Sequence, residues 1–384
     1  MTTNVNQNAS GISVNNVPGA VKSSVVSGAV KEPISLGVAN NNVFYGSYPK
    51  DTIDITSFTV SVGSVKWAGG IQARNGKIYF IPRNSTVVLI FDLSKGTIDT
   101  TTITGIPGGN WKFLGGVLAK NDKIYCIPGN GNYIGIIDTE TDTFDSTTMT
   151  GLSGTANWKG GCLAHNDKIY CAPDNSESVL IIDTKNDTYD INTIMNITGA
   201  SKCFGVAMAP NGKLYCAPNN AAYVLIIDPF TDTANTSTIP VSSDIGKWDA
   251  ICYCPVNNKF YCAPKDSTSV LIIDPETDMT DIASISGVVG TLKYSSILFS
   301  ANGKLYLGAR DTDNFAIIDP VTNTIDTTTL LVPAGTLISK GLVIDYISGA
   351  IVSVPISSTY IGIIGTGIPL HNIDFACSAY RNKL

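Results

Sequence analysis

The chain has 384 residues, of which 43% are apolar and only 15% charged, so a sizeable core can form and global disorder is excluded. The net charge of −6 argues against broad binding to nucleic acid or to an anionic membrane. No apolar run approaches the length of a membrane-spanning helix, so no membrane insertion is expected.

The first residues, MTTNVNQNASG, have neither a basic n-region nor an apolar h-region, so no conventional signal peptide is read and synthesis in the cytoplasm is expected. Residues 1–42 are rich in Asn, Val, Ser and Gly and read as an extended arm. The segment NNVFYGSYPKD then leads to a strand-like stretch from Ile53 to Val60.

A repeat follows. A basic residue, an aliphatic or aromatic residue and a tyrosine end at Tyr79, Tyr125, Tyr170, Tyr215, Tyr261 and Tyr306, with a degenerate seventh copy at Val352. A period in the forties, filled with strands, is the signature of propeller blades. Each unit reads as four strands, A to D. In the first, A is WAGGIQA, B is KIYFIP, C is VVLIFD and D is TIDTTTI. The Asn75-Gly76 pair between A and B suits a tight hairpin, because both residues tolerate positive φ. The last unit lacks a clear strand D, so Ile53–Val60 is expected to supply it and close the ring, removing exposed sheet edges. The sequence thus predicts an all-β, seven-bladed propeller over residues 43–366, flanked by the arm and by a tail at 367–384.

Units such as NDKIYCIPGNGNYIGIIDTETDT and NNKFYCAPKDSTSVLIIDPETDM resemble YVTN-type β-propeller repeats, with a weaker likeness to NHL and streptogramin-lyase propellers. The resemblance covers about four-fifths of the chain and implies the fold, which hosts many unrelated activities. Lyase-like catalysis would need a His-centred site. This chain has His165, beside the Asn166-Asp167 turn, and His371 in the tail, and no matching constellation, so no catalytic residue is assigned.

Repeated polar positions have structural readings. Lys77, Lys123 and Lys168 are placed opposite Asp92, Asp138 and Asp183 of their own blades, as cross-strand pairs. The DPETD-like turn at Asp274–Asp278 lacks the glycine and the oxygen-ligand spacing of a calcium loop, so its acids are read as turn formers and no metal or cofactor is expected. Cys126, Cys171, Cys216 and Cys262 recur one per blade, too far apart for disulfides, and all nine cysteines are expected as free thiols of a reducing compartment. Cys252 and Cys254 read as core side chains on one strand face.

The start of strand A carries the candidate binding site. A column of aromatics, Trp67, Phe113, Trp158, Trp248 and Tyr294, follows a column of lysines, Lys66, Lys112, Lys202, Lys247 and Lys293. Strand A is innermost in a propeller, so these residues are expected at one mouth of the central channel, with the lysines holding a glycan or another anionic ligand. The alternative packs the aromatics between blades and leaves the lysines merely solvated. The function expected is a non-enzymatic structural or binding module. It would be a subunit of a larger assembly such as a virion or phage fibre or decoration protein, contacting other protein subunits through residues 1–42 and the tail. An enzyme of the lyase or lactonase kind and an intracellular interaction scaffold are the alternatives.

Overall fold

The computed structural model describes residues 48–367 except 62, 64 and 334–338. The arm 1–42, the tail from 368 onward, His371 and Ile338 therefore lie outside the described residues. Those described form seven four-stranded antiparallel sheets and no helix. Strand order within each sheet is A-B-C-D, and the seven A strands pack against one another around a common axis. Blade 1 has A at Trp67–Gln72, B at Ile78–Pro82, C at Leu89–Asp92 and D at Thr97–Asp99. Blades 2 to 6 begin at Phe113, Trp158, Cys203, Trp248 and Tyr294.

Blade 7 closes the ring as the sequence predicts. Its strands Ser339–Ile344, Ile351–Pro355 and Ile363–Gly365 are completed by Thr52–Asp54, paired antiparallel with Thr52 opposite Gly365 and Ile53 opposite Ile364. A further bridge joins Thr59 to Tyr360. The regular part of the closing strand is shorter than Ile53–Val60 because Asp54 breaks it: its Oδ1 accepts the amides of Thr56 and Ser57. The same turn ends strand D, or kinks its longer versions, at Asp99, Asp145, Asp190, Asn235, Asp281 and Asp326. A carboxylate or amide spent on its own backbone bends the outer edge and blunts it as a pairing template.

Turn chemistry follows the residue types. The second residue of the A–B hairpin has positive φ in every blade, at Gly76, Asp122, Asp167, Gly212, Asn258, Gly303 and Gly349. Gly, Asn and Asp are the residues that enter this region most cheaply.

The core is divided into seven layers, each drawn from two adjacent blades. One layer packs Tyr125, Ile134 and Ile136 of blade 2 against Trp158, Ile169 and Leu180 of blade 3. Strands B and C supply these residues as nearly continuous apolar runs because both faces of a blade are covered. Eight of the nine cysteines are free thiols, most of them buried in these layers, and the ninth, Cys377, lies outside the described residues.

Polar clasps tie one blade to the next. Asn75 Nδ2 donates to Tyr79 Oη at 2.9 Å and to the Thr139 carbonyl of blade 2 at 2.8 Å. Tyr79 Oη donates to Asp142 Oδ1 at 2.5 Å, and Lys77 Nζ reaches Asp142 Oδ2 at 2.6 Å. Blades 2 and 3 repeat this with Asn121, Lys123, Tyr125 and Asp187. Blades 3 and 4 repeat it with Asn166, Lys168, Tyr170 and Asp232. This corrects the within-blade pairing. Lys123 and Asp138 do face each other in register, as do Lys168 and Asp183. Their charges are used elsewhere, because Asp138 and Asp183 accept the amides of their own turns and the lysines reach across to the next blade. Within-blade contacts remain at Lys259–Asp274, 3.9 Å, and Lys304–Asp319, 4.0 Å. The Asp274 turn is of the same kind, its Oδ1 accepting the Glu276 amide at 3.0 Å.

Around the axis, the A strands approach through a glycine collar. Gly69, Gly115, Gly160 and Gly205 have φ of 84°, 128°, 75° and 69°. A Cβ on Gly160 would sit 3.0 Å from the Gly205 Cα, so a side chain there would push two backbones apart. Each A strand also carries a register shift near its start, after the first residue in six blades, as between Trp158 and Gly161, and after Phe204, the second residue, in blade 4. The shift turns the residue after the aromatic toward the axis and thereby sets what lines the channel.

Candidate functional site

The aromatic column lies between blades. Trp67, Phe113, Trp158, Trp248 and Tyr294 are all buried, and the indole N–H groups of Trp158 and Trp248 donate to the Ser178 and Ser269 carbonyls, each at 2.8 Å. No ring of this column is free to stack on a ligand.

The lysine column is placed differently from its expected position at an open mouth. Lys112, Lys202, Lys247 and Lys293 are buried and Lys66 is half-buried. Their ammonium groups bind backbone carbonyls of the loops that join blades. Lys112 Nζ reaches the Ser85 carbonyl at 2.8 Å. Lys202 Nζ reaches those of Asp174 and Gly199 at 3.1 and 2.7 Å, and Lys293 Nζ that of Gly290 at 2.7 Å. Lys247 Nζ binds the Ala221 and Asp244 carbonyls, and Lys66 Nζ the Ser61 carbonyl. Burial lowers the pKa of all five. A loop that must leave one blade and enter the next exposes carbonyls with no strand to pair them, and a lysine ammonium donates to one or two of these. These lysines organise loops and do not converge on the axis.

The position that does converge is one residue after the aromatic: Ala68, Leu114, Lys159, Phe204, Asp249, Ser295 and Lys340. Asp249 of blade 5 is ion-paired with Lys159 of blade 3, with Lys340 of blade 7 at 3.4 Å and with Arg310 of blade 6 at 3.5 Å. Blades 3 and 7 are not neighbours of blade 5, so these bonds cross the channel. The Asp249 side chain is 0% exposed. Burial alone would raise its carboxyl, but Lys159, Lys340 and Arg310 outweigh burial and hold it well below the usual carboxylate range. Burial pushes Lys159 down, against the pull of Asp249, and its ammonium also lies 3.2 Å from the centre of the Phe204 ring.

A second column surrounds this cluster, at the first residue after strand B. It holds Arg83, Asp174, Lys265 and Arg310, with Gly129, Asn219 and Ile356 in the other blades. Arg83 is buried, yet its guanidinium makes no hydrogen bond or ion pair among the described residues, and Nε is an enclosed donor without a partner. Its Cζ lies over the ring of Trp111, 4.0 Å from the ring centre, and Trp111 is 45% exposed. Burial, and then repulsion by Arg310, pushes Arg83 down to about 10. Asp174 is its counterpart. It is buried with Oδ1 unpartnered, and burial pushes its carboxyl up to about 6 despite Lys159. Besides Lys265, which pairs with Asp266 at 3.8 Å, four cations (Arg83, Lys159, Arg310 and Lys340) face two carboxylates here, in a chain whose net charge is −6. The sequence carried a signal for this cluster: charged residues stand in an otherwise apolar or small column beside the aromatics.

Burial pushes the Lys340 ammonium down to about 7, with Asp249 opposing. In an unfolded chain lysine titrates at about 10.4. Between these values the unfolded chain binds the extra proton, so the stability contributed by this residue rises with pH from about 7 to about 10. The unfolding free energy of the wild type minus that of Lys340→Met is expected to climb across that window in urea titrations. A flat difference would mean that Lys340 keeps its proton in the fold.

His165 lies by the A–B hairpin of blade 3, where its ring approaches Gly212 of blade 4. That hairpin is at the opposite end of strand A from Lys159, so His165 does not join the axial cluster.

A family model described as "Domain of unknown function (DUF5074)" matches residues 64–269. No curated protein matches the chain. Among solved structures, a streptogramin B lyase aligns with a TM-score of 0.66 and 13% identity over 81% of this chain and 96% of its own. A catalytically inactive virginiamycin B lyase from Staphylococcus aureus with quinupristin gives 0.66 and 12% over 81% and 98%. The extracellular domain of a one component system from B. thetaiotaomicron gives 0.61 and 12% over 80% and 39%. At such identities the likeness is one of fold, and it agrees with the seven-bladed YVTN- and NHL-like propeller read from the repeats.

Proposed function

The chain belongs to the family described as "Domain of unknown function (DUF5074)", and from that premise we propose that it is a non-enzymatic binding module that takes an anionic small molecule at the axial mouth. The observation that carries this reading is Arg83: a buried guanidinium against Trp111, repelled by Arg310, whose one counterweight is the Asp249 carboxylate, already held in three ion pairs with other cations. A buried cation without a partner is costly, and a bound anion removes that cost. Binding is favoured over acid–base catalysis because Asp249, the most deeply placed carboxylate, is held in three ion pairs and is not free to act as a base. The structural-subunit reading draws on composition and on residues 1–42, and no observation at the site favours it.

Calorimetric titration with citrate and with inorganic phosphate tests the proposal. Binding is expected to weaken as salt is raised, since the mouth is open to ions and the Debye length is about 8 Å at physiological ionic strength. Arg83→Ala is expected to lose binding without loss of stability, because it removes an uncompensated charge. No binding of either anion at low salt, or equal binding by the variant, would overturn the assignment.

A further inference from the structure

Resting on that anion-binding reading, we propose that the anion is a 2-oxo acid held covalently and reversibly, as an imine on Lys340 Nζ with its carboxylate on Arg310. The two side chains meet on one atom. Lys340 Nζ lies 3.4 Å and Arg310 Nη1 3.5 Å from the same carboxylate oxygen, Asp249 Oδ2, so the two nitrogens are at most about 7 Å apart. Lys159 occupies the other oxygen, Oδ1.

One carboxylate therefore balances three cations, and two of them are held loosely, since a well-made bond between an ammonium or guanidinium and a carboxylate spans about 2.7–2.9 Å. Asp249 is the one ion-pair partner of Lys340 among the described residues. A guanidinium has five donors, and the Arg310 side chain commits one of them, to Asp249. Arg83 repels both Lys340 and Arg310 and so adds to the surplus of positive charge. That surplus is relieved when an amine gives up its proton. Of the two lysines, Lys340 has the longer contact, and burial pushes it down to about 7. An unprotonated lysine amine is the nucleophile of imine chemistry. The side chains of Lys340 and Arg310 are 14% and 25% exposed, whereas Asp249 is fully buried, so the amine and the guanidinium are reached before the carboxylate.

In the reaction Nζ attacks the carbonyl carbon, a C–N bond replaces the C–O bond, and both amine protons leave with the carbonyl oxygen as water. Nothing is oxidised or reduced, and water reverses the step. In the imine of a 2-oxo acid, three bonds separate Nζ from a carboxylate oxygen, a span of about 3 Å. A charge-assisted hydrogen bond adds about 2.8 Å, which fits within the limit set by Asp249. The uncharged imine leaves Asp249 to Lys159, and the ligand's carboxylate becomes the counter-charge of Arg310.

The test incubates the whole protein at neutral pH with pyruvate or with acetone, adds cyanoborohydride to reduce any imine, and locates the modified lysines by peptide mass mapping. Pyruvate is expected to label Lys340 at least about tenfold faster than the exposed Lys95 and Lys120, because an amine titrating near 7 is far more often unprotonated than one near 10.4. Acetone has the carbonyl without the carboxylate. The preference for pyruvate over acetone is expected to be severalfold larger at Lys340 than at Lys120, a comparison that removes the intrinsic reactivity of the two ketones. Arg310→Gln is expected to erase that extra preference, and Lys340→Arg, which keeps a cation on Asp249, to abolish the label. Label spread evenly over the lysines, or a pyruvate preference at Lys340 no greater than at Lys120, overturns the imine, while binding of citrate or phosphate would leave the anion site standing. If citrate, phosphate and pyruvate all fail, both readings fall. The map of the wild type decides the imine even where a variant folds poorly.

Discussion

Replacing Asp249 with alanine is expected to destabilise the protein by about 3–5 kcal/mol, the range for breaking a buried ion pair by removing one partner. The residue sits at the second position of strand A in blade 5, with its side chain 0% exposed. It neutralises cations from three other blades: Lys159, Arg310 and Lys340. Without it, Lys159 and Arg310 are left on the axis with no counter-charge, and Lys340, which Asp249 helps to keep protonated, gives up its proton more readily. Because the partners come from blades 3, 6 and 7, the loss should lower the cooperativity of ring closure as well as the stability of blade 5. Urea denaturation checks the magnitude, and a change under about 1 kcal/mol would mean that water and counter-ions replace the carboxylate. Adding Lys340→Met to the Asp249→Ala variant is expected to recover part of the loss. The two changes share a partner, so their effects should not add.

Lys202→Met is expected to cost about 1.5–3 kcal/mol, the range for hydrogen bonds to a charged group. Methionine keeps the length and the apolar stem but cannot donate. The Gly199 carbonyl, now bonded to Nζ at 2.7 Å, would lose that donor, while the Asp174 carbonyl would keep the amide of residue 202 at 3.1 Å. The result separates two roles for the lysine column. A ring of solvated lysines gathering an anion predicts little change in stability and a loss of binding. Loop-organising lysines predict a lower thermal midpoint, with anion affinity following only as far as the loop at Asp174 shifts. An unchanged midpoint with lost citrate binding would restore the first role.

The blades were legible from the residues alone. Their strands, hairpins and apolar runs are local, and seven copies spaced 45 or 46 residues apart state the same message repeatedly. It also carried the closing strand, because a unit without its strand D and an orphan strand at the other end have one economical solution. Asp–amide turns were legible for the same reason, being formed within three residues. Contacts between blades were not. Lys77 and Asp142 are 65 positions apart, and only the packing angle between blades selects that aspartate over Asp92, which register places opposite the lysine's own neighbourhood. The axial cluster is more remote still: Lys159 and Lys340 lie 90 and 91 positions from Asp249, on blades that do not touch blade 5. The innermost place of strand A pointed to the lysines before the aromatics. The register shift near the start of that strand turns the residue after the aromatic to the axis, and the loops between blades bury the preceding lysine on their carbonyls. Both effects arise only when seven strands crowd around one axis, so the columns were visible in the sequence, and the choice of which one faces the channel belonged to the tertiary structure.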